Sequence, residues 1–396
     1  MSVPGDIDGL RRRHAAFYAG FVERASAGVM SPEELVWWPR LSGEVDNLRA
    51  ATSWALDAAA VGDVALGVGI LAGLIGEAIF RPSSGFCSWA TAGLARVDDL
   101  DGARGAVLLG LAALDAYYLG RFEHAMVLGG QAIAESNISR AALVVALESV
   151  CLSALARGDA VGALEVLAEG RERLDAGAAG DWVTVGPCLF AVWIAHGTGD
   201  HATATAQAQL ALARARQIGA PSLLAVSLCT YAWGVCEDDP DDGLAAAEES
   251  IRLTEAGAGD IGYSGASQVA AMLRAARGDH AAAAGAMRAA VDRDARAGQR
   301  TLIGIDVTFA ALVLAGVADT CQAAATLAGA VTGPELGFSL AFLTPYQRER
   351  YEHGLTKAAA VLGTRRYAAA QHAGAAMTYD QVVAYTVEQL DRLVVP

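Results

Sequence analysis

The sequence has almost no lysine, since 29 of its 396 residues are lysine or arginine and Lys357 is the only lysine. One lysine leaves little room for Schiff-base chemistry. It also lacks the glycine frame of a phosphate-binding loop, and no GxxxxGK[ST] motif occurs. The formal net charge is −15. We therefore expect no broad surface for nucleic acid or for an anionic membrane.

The sequence also lacks a CxxC pair, a signal peptide and a convincing membrane segment. The N-terminus, MSVPGDIDGLRRRH, has no apolar core. The longest uncharged run, 217–236, contains Gly219 and Pro221 and is expected to form a buried helix. Six scattered cysteines indicate buried thiols in a reduced compartment: Cys87, Cys151, Cys188, Cys229, Cys236 and Cys321. We expect a cytoplasmic protein.

Motifs of common catalytic and metal sites are missing as well, because neither GxSxG nor HExxH occurs. The densest group of possible ligands is HGTGDH, with His196, Asp200 and His201. A zinc site needs three or four ligands in a fixed frame, whereas these histidines are five residues apart across a turn. A second Gly-Asp-His carries Ala275 where His196 would stand. The acidic run EDDPDD lacks the ligand order of an EF-hand. We predict no metal, no cofactor and no enzymatic activity.

Aromatic residues are few, at 7%, and no segment shows sustained strand-type alternation. Much of the 54% apolar content is alanine, which is the strongest helix former. The composition therefore predicts an all-α fold in which helices pack through small residues.

A period of about 40 residues runs through the sequence. Glycines that precede alanine-rich segments stand at Gly120, Gly158 and Gly199, with spacings of 38 and 41 residues. The next, Gly278, follows after 79 residues, which is close to two periods. Pro240 stands near the intermediate position.

The positions within each unit also agree. Each glycine is suited to end one helix, because it adopts the left-handed conformation easily, and a polar residue after it suits the start of the next helix. Small residues recur five and twelve positions after the glycine, on one face of the second helix. They are Ala125 and Ala132, Ala163 and Gly170, Ala204 and Ala211, and Ala283 and Ala290. Each unit is predicted to be helix, turn, helix, and stacked units form an α-solenoid.

Three motifs of the capping-box type mark helices outside the regular array. They predict helices near 32–40, 345–361 and 379–393. The motifs are SPEEL, with Ser31 and Glu34, TPYQ, with Thr344 and Gln347, and TYDQ, with Thr378 and Gln381. We expect one continuous solenoid, with an N-terminal cap and first repeat over 1–100, repeats over 101–332 and a C-terminal helical cap over 333–396.

The pattern Gly-Asp-x-x-x-Ala, with a second small residue seven positions on, resembles the tetratricopeptide repeat (TPR). The units exceed the usual length of about 34 residues, so the resemblance is to longer, degenerate relatives. Two end segments resemble the helical-repeat region of large bacterial ATPase-linked, LuxR-type STAND transcriptional regulators. They are 37–69, which contains the signature EVDNLRAA from Glu44 to Ala51, and 345–385. The excess of arginine over lysine and the alanine content fit a GC-rich, actinobacterial source.

Such regulators usually carry an ATPase module before the repeats and often a helix-turn-helix after them, and this sequence contains neither motif. The resemblance therefore implies neither ATP hydrolysis nor DNA binding for these residues. The chain is either a free-standing protein or a piece of a longer regulator, and the initial methionine favours a complete reading frame.

The resemblance implies that the first helix of each unit lines a concave groove. Its groove positions, six and three residues before the turn glycine, select Leu114 and Tyr117, Leu152 and Leu155, Trp193 and His196, Met272 and Ala275, with Gly234 and Glu237 in the Pro240 unit. Seven of them are our candidate ligand or peptide groove: Leu114, Tyr117, Leu152, Trp193, His196, Glu237 and Met272. The alternative is that Tyr117 and Trp193 simply pack between neighbouring helices.

Three functions follow from these patterns. The first is a non-enzymatic scaffold or sensor that binds a protein, a peptide or a small effector in signalling or transcriptional regulation. The second is a structural scaffold for homo-oligomerisation. The third is an enzyme with a site in the concave groove, for which the sequence shows no convergent polar residues.

Overall fold

The protein is described here by a computed structural model that covers residues 7–175, 181–336, 338–340 and 343–394. These residues form 21 α-helices and no β-strand. The predicted all-α fold is confirmed. The first six helices are α1 (Ile7–Val29), α2 (Glu34–Ser42), α3 (Val45–Asp57), α4 (Val61–Gly73), α5 (Ile75–Phe80) and α6 (Phe86–Gly93).

Six helix pairs follow, each made of an inner and an outer helix. The pairs are α7 (Gly102–Tyr118) with α8 (Phe122–Ala134), α9 (Arg140–Ala156) with α10 (Ala160–Asp175), α11 (Gly186–Thr198) with α12 (His201–Ile218), α13 (Pro221–Val235) with α14 (Pro240–Glu255), α15 (Tyr263–Ala276) with α16 (His280–Ala297), and α17 (Arg300–Ala315) with α18 (Cys321–Thr332). The last helices are α19 (Pro345–Leu362), α20 (Thr364–Ala375) and α21 (Tyr379–Val394).

The turns within the pairs have the predicted construction. The repeated glycines have positive φ, from +74° at Gly120 to +84° at Gly278, which a residue with a β-carbon rarely adopts. The aspartate after the glycine then caps the outer helix. Asp200 accepts a hydrogen bond of 3.0 Å from the amide of Thr203, and Asp279 accepts one of 3.1 Å from the amide of Ala282.

The eight small residues of the outer helices form a packing seam. All eight are buried, and the alanines among them have no exposed surface. At Gly170 an added β-carbon would lie 2.5 Å from side-chain atoms of Leu147, so alanine there would require the Leu147 side chain to shift. The seam therefore fixes the distance between neighbouring helices.

The N-terminal helices close over the stacked pairs. Glu34, at the start of α2, is fully buried and receives a hydrogen bond of 2.8 Å from the amide of Ser222 at the start of α13. The guanidinium of Arg81 donates to the same carboxyl group across 2.7 Å. Arg81 also pairs with Glu77 at 2.8 Å and lies 4.1 Å from the centroid of the Trp38 ring. Residues 188 positions apart thus meet in one buried ionic cluster.

The capping box that SPEEL predicts does not form, and this contact explains why. The helix starts at Glu34, and the hydroxyl of Ser31 accepts only from the amide of Glu33, at 3.1 Å. Glu34 does not turn back to cap its own helix, because an arginine and the amide end of α13 satisfy its charge. Here a tertiary contact replaces the local cap that the sequence predicts.

The two C-terminal caps do follow the prediction. Thr344 and Gln347 form a reciprocal capping box at the start of α19, and Thr378 and Gln381 exchange the same two hydrogen bonds before α21. Between these helices, α20 crosses α18 at a small-residue contact. A β-carbon at Gly374 would overlap the backbone of Thr326, which shows that the two backbones touch.

The uncharged run 217–236 supplies α13, whose residues Leu228 and Trp233 are buried by neighbouring helices. Within the described part of the chain, no helix has both the length and the apolar character to cross a lipid bilayer. The six cysteines are all buried and free, as predicted.

Candidate ligand-binding cavity

The six inner helices surround a central cavity of about 130 Å³. Each inner helix contributes at least one side chain to its wall. One from each, in chain order, are Tyr117, Leu152, Trp193, Trp233, Gln268 and Leu302. Leu152, Trp193 and Leu302 are only half-buried, so their remaining exposed surface is accessible to a molecule of the size of water.

The inner helices close into a ring. The hydroxyl of Thr301, at the start of α17, donates a hydrogen bond of 2.7 Å to the carbonyl of Tyr117, near the end of α7. The end of α5 lies against the α14–α15 connection, where the amide of Ile261 donates to the carbonyl of Phe80 across 3.2 Å. The end of α5 therefore covers part of the concave face, and its residues Ile79 and Phe80 line the cavity.

Aromatic rings form much of the cavity wall. The rings of Trp193 and Trp233 meet edge to face with centroids 4.8 Å apart. Trp233 is held in place by Phe309, at 5.8 Å, and by a hydrogen bond of 2.9 Å from its indole nitrogen to the carbonyl of Gly265. Because both the stacking and the hydrogen bond orient Trp233, this part of the wall is preorganised.

Glu148 is the one carboxylate in this wall, and no lysine, arginine or histidine of the described residues lines it. The residue is 5% exposed, and its Oε2 atom has no hydrogen-bond partner among the described residues. Burial raises the pKa of Glu148 to about 8, because no positive charge compensates for the lost water. Tyr118 also lines the cavity, and its hydroxyl is likewise buried without a partner in the described part of the chain.

A pair of buried aspartates lies behind Gln268. The amide nitrogen of Gln268 donates to Asp306 across 2.7 Å, and Asp306 interacts with Asp294. Burial raises the pKa of Asp294 to about 7, and burial together with Asp294 raises the pKa of Asp306. The pair is thus placed to share a proton, and Gln268 connects it to the cavity.

Three of the seven sequence-selected groove residues meet in the cavity wall: Tyr117, Leu152 and Trp193. Leu114 and Met272 have no exposed surface and belong to the helix packing. The remaining two, His196 and Glu237, lie outside the lining. The role of all seven residues in ligand binding stays a prediction.

His196 is 5% exposed, and neither ring nitrogen has a hydrogen-bond partner among the described residues. Burial, with a contribution from His201, lowers the pKa of His196 to about 4, so the ring is neutral at physiological pH. The carboxylate of Glu237, 47% exposed, lies 3.9 Å from His201 on the surface. No three histidine, cysteine, aspartate or glutamate side chains of the described residues are grouped to hold a metal ion.

The groove rule, which uses the positions six and three residues before the turn, omits one further turn of each inner helix. The position ten residues before the turn selects four further lining residues, and these include the carboxylate of the cavity. They are Glu148, Leu189, Thr230 and Gln268. Positions three to four residues apart lie on one face of a helix, so the groove pattern itself would have found them if it had been extended.

Comparison with solved structures finds the crystal structure of a Rap protein complexed with Competence and Sporulation Factor. The two chains share 11% sequence identity and superpose with a TM-score of 0.57, over 96% of this chain and 99% of the Rap chain. At this identity the likeness shows the fold alone, which is a TPR-like array of helical repeats. No family model matches the sequence, and no curated protein matches it.

Proposed function

We propose that this protein is a non-enzymatic scaffold that binds an effector in its central cavity and relays its presence in signalling or transcriptional control. The observation that supports this most is that all six inner helices contribute to one aromatic cavity. The Rap protein with the same fold is complexed with Competence and Sporulation Factor, which supports a binding role for such an array. The effector is a small molecule or a side chain of a bound peptide or protein.

The ring of helices supplies a mechanism for the relay. A ligand that contacts inner helices from several pairs favours the arrangement in which all those contacts are made. Because each inner helix packs on its own outer helix, a shift of the inner ring changes the curvature of the whole array. This is a change in populations of conformations, and its size is limited by the difference in ligand affinity between them.

The test fills the cavity with a side chain. We expect 2-phenylethanol, a neutral probe with one ring, to raise the melting temperature of the wild-type protein, since a ligand that binds the folded state stabilises it. Leu302→Trp places a bulky indole ring in the wall and should abolish this shift in melting temperature. Val161→Trp is the matched control, because Val161 is 67% exposed on α10. Equal shifts in the two variants would show that the cavity is not a binding site.

The relay is tested by hydrogen exchange on the full chain. Saturation with the same probe should slow exchange in the inner helices and alter it in the outer helices, which do not touch the probe. If the change is confined to residues of the cavity wall, the cavity binds but does not transmit.

A further inference from the structure

The acidic group of the cavity restricts its ligand. The carboxyl group of Glu148 lines the cavity, and no basic side chain of the described residues is there to pair with it when it ionises. Only a small part of the wall is polar, and most of the wall is aromatic or aliphatic. A ligand that matches this cavity therefore has an apolar body and a single positive charge.

Two buried oxygen atoms of lining residues lack hydrogen-bond partners in the described part of the chain. They are Oε2 of Glu148 on α9 and the hydroxyl of Tyr118 on α7, both buried. Buried polar atoms are nearly always paired in folded proteins, so a ligand that donates to these two oxygens would satisfy them. A primary ammonium group has three donors and no acceptor, which allows it to donate to both oxygens at once.

We infer that the cavity binds a small hydrophobic amine, whose ammonium group donates to Glu148 and Tyr118 while its apolar part lies against Trp193 and Trp233. The inference rests on the proposed function, because it names the ligand class of the same cavity. A dry cavity of about 150 Å³ holds a benzene-sized molecule. The volume of about 130 Å³ thus fits one aromatic ring or a branched alkyl group.

Binding of an amine should release a proton. Burial raises the pKa of Glu148 to about 8, so this carboxyl group is mostly protonated in the free protein at neutral pH. The titratable groups that face it are Tyr117 and Tyr118 on α7 and Cys87 on α6. Burial raises the pKa of all three, so they stay neutral and supply no counter-charge. The ammonium group favours the ionised carboxylate, and the proton leaves to solvent.

The experiment compares three probes of similar size by calorimetry: 2-phenylethylammonium, 2-phenylethanol and phenylacetate. We expect the ammonium to bind wild-type protein at least tenfold more tightly than the alcohol, and phenylacetate to bind most weakly. The affinity for 2-phenylethylammonium should increase as the pH rises from 6 to 8.5. Alkylammonium groups, with a pKa of about 10, keep their charge over this range. Two buffers with different ionisation enthalpies should reveal release of about one proton near pH 7.

Glu148→Gln keeps the shape of the side chain and removes its charge. This variant should bind the ammonium no more tightly than the alcohol and release no proton. Glu123→Gln, at an exposed position of α8, is the control and should behave as wild type. The probe ranking and the proton release of the wild-type protein need no variant, so they decide the matter even where Glu148→Gln fails to fold.

The outcomes separate the two proposals. If the alcohol binds as tightly as the ammonium, or if Glu148→Gln keeps the preference, the amine inference is wrong and the cavity remains a binding site. If none of the three probes binds the wild-type protein, both proposals are wrong.

Discussion

The hydroxyl of Thr301 donates a hydrogen bond to the carbonyl of Tyr117, and this contact joins the last inner helix to the first. The two residues are 184 positions apart, and the bond is 2.7 Å long. Thr301 is 6% exposed, so water does not compete freely for the same carbonyl. An array of stacked pairs has no inherent need to close, since each pair contacts mainly its neighbours. Here closure turns a concave face into a cavity that is lined by all six inner helices.

Replacement of Thr301 by valine should loosen this closure. We expect the free energy of unfolding to fall by about 1 kcal/mol, because a neutral buried hydrogen bond is lost while Tyr117 keeps a second donor, the amide of Gly120. Amide exchange should become faster in the last turn of α7. Thr308→Val is the control, since the hydroxyl of Thr308 bonds only within α17, to Gly304. Unchanged exchange in α7 of Thr301→Val would contradict a role of this bond in closure.

The buried ionic cluster should depend on Arg81. Arg81→Met leaves Glu34 and Glu77 without a counter-charge, and loss of one partner of a buried ion pair costs about 3–5 kcal/mol. Denaturant titration near pH 8 measures the loss. Arg40→Met, which removes an exposed guanidinium 5.1 Å from the Trp37 centroid, should cost less than about 1 kcal/mol. Similar losses in the two variants would show that the cluster contributes little to stability.

Replacement of glycine by alanine should have opposite effects on stability at two positions. Gly158 has φ of +81° with open space around it, so Gly158→Ala introduces backbone strain alone and should destabilise by about 1 kcal/mol. Gly130 lies within α8, exposed and with no neighbour where a β-carbon would be. Gly130→Ala should stabilise by about 0.5–1 kcal/mol, because alanine has the higher helix propensity. Thermal unfolding followed by circular dichroism separates the two signs.

Stability should fall as the pH rises from about 5 to 8. The pKa of Glu148 is about 8 in the folded protein and near 4.5 in the unfolded chain, so the folded state holds a proton that unfolding releases in this window. Glu77 and Asp294, each with a pKa raised to about 7, act in the same direction. The stabilisation is complete at low pH and is lost as the pH passes the folded-state values.

Glu148→Gln removes one of these protons, so its unfolding free energy should depend on pH less steeply than that of wild type. The expected difference is about 1.4 kcal/mol per pH unit over the same window. Urea titrations at several pH values measure it, with Glu123→Gln as the exposed control. Parallel slopes in wild type and Glu148→Gln would mean that the carboxyl group is ionised throughout.

The sequence by itself determined the repeated unit. Glycine turns, aspartate caps and the small-residue seam depend on contacts within a few turns of helix, so a pattern with a period of about 40 residues was enough to predict them. Two of three capping boxes followed for the same reason. The third failed because Glu34 is satisfied by Arg81 and Ser222, a contact that local reasoning does not include.

Only the tertiary structure decided where the array closes and which residues face the cavity. Closure depends on the curvature accumulated over six pairs, so it brings together residues more than 180 positions apart that no local pattern relates. The groove rule found Tyr117, Leu152 and Trp193, because it follows one helical face. It missed Glu148, one turn further from the glycine, since a glutamate in a sequence does not reveal that folding leaves it buried and unpaired.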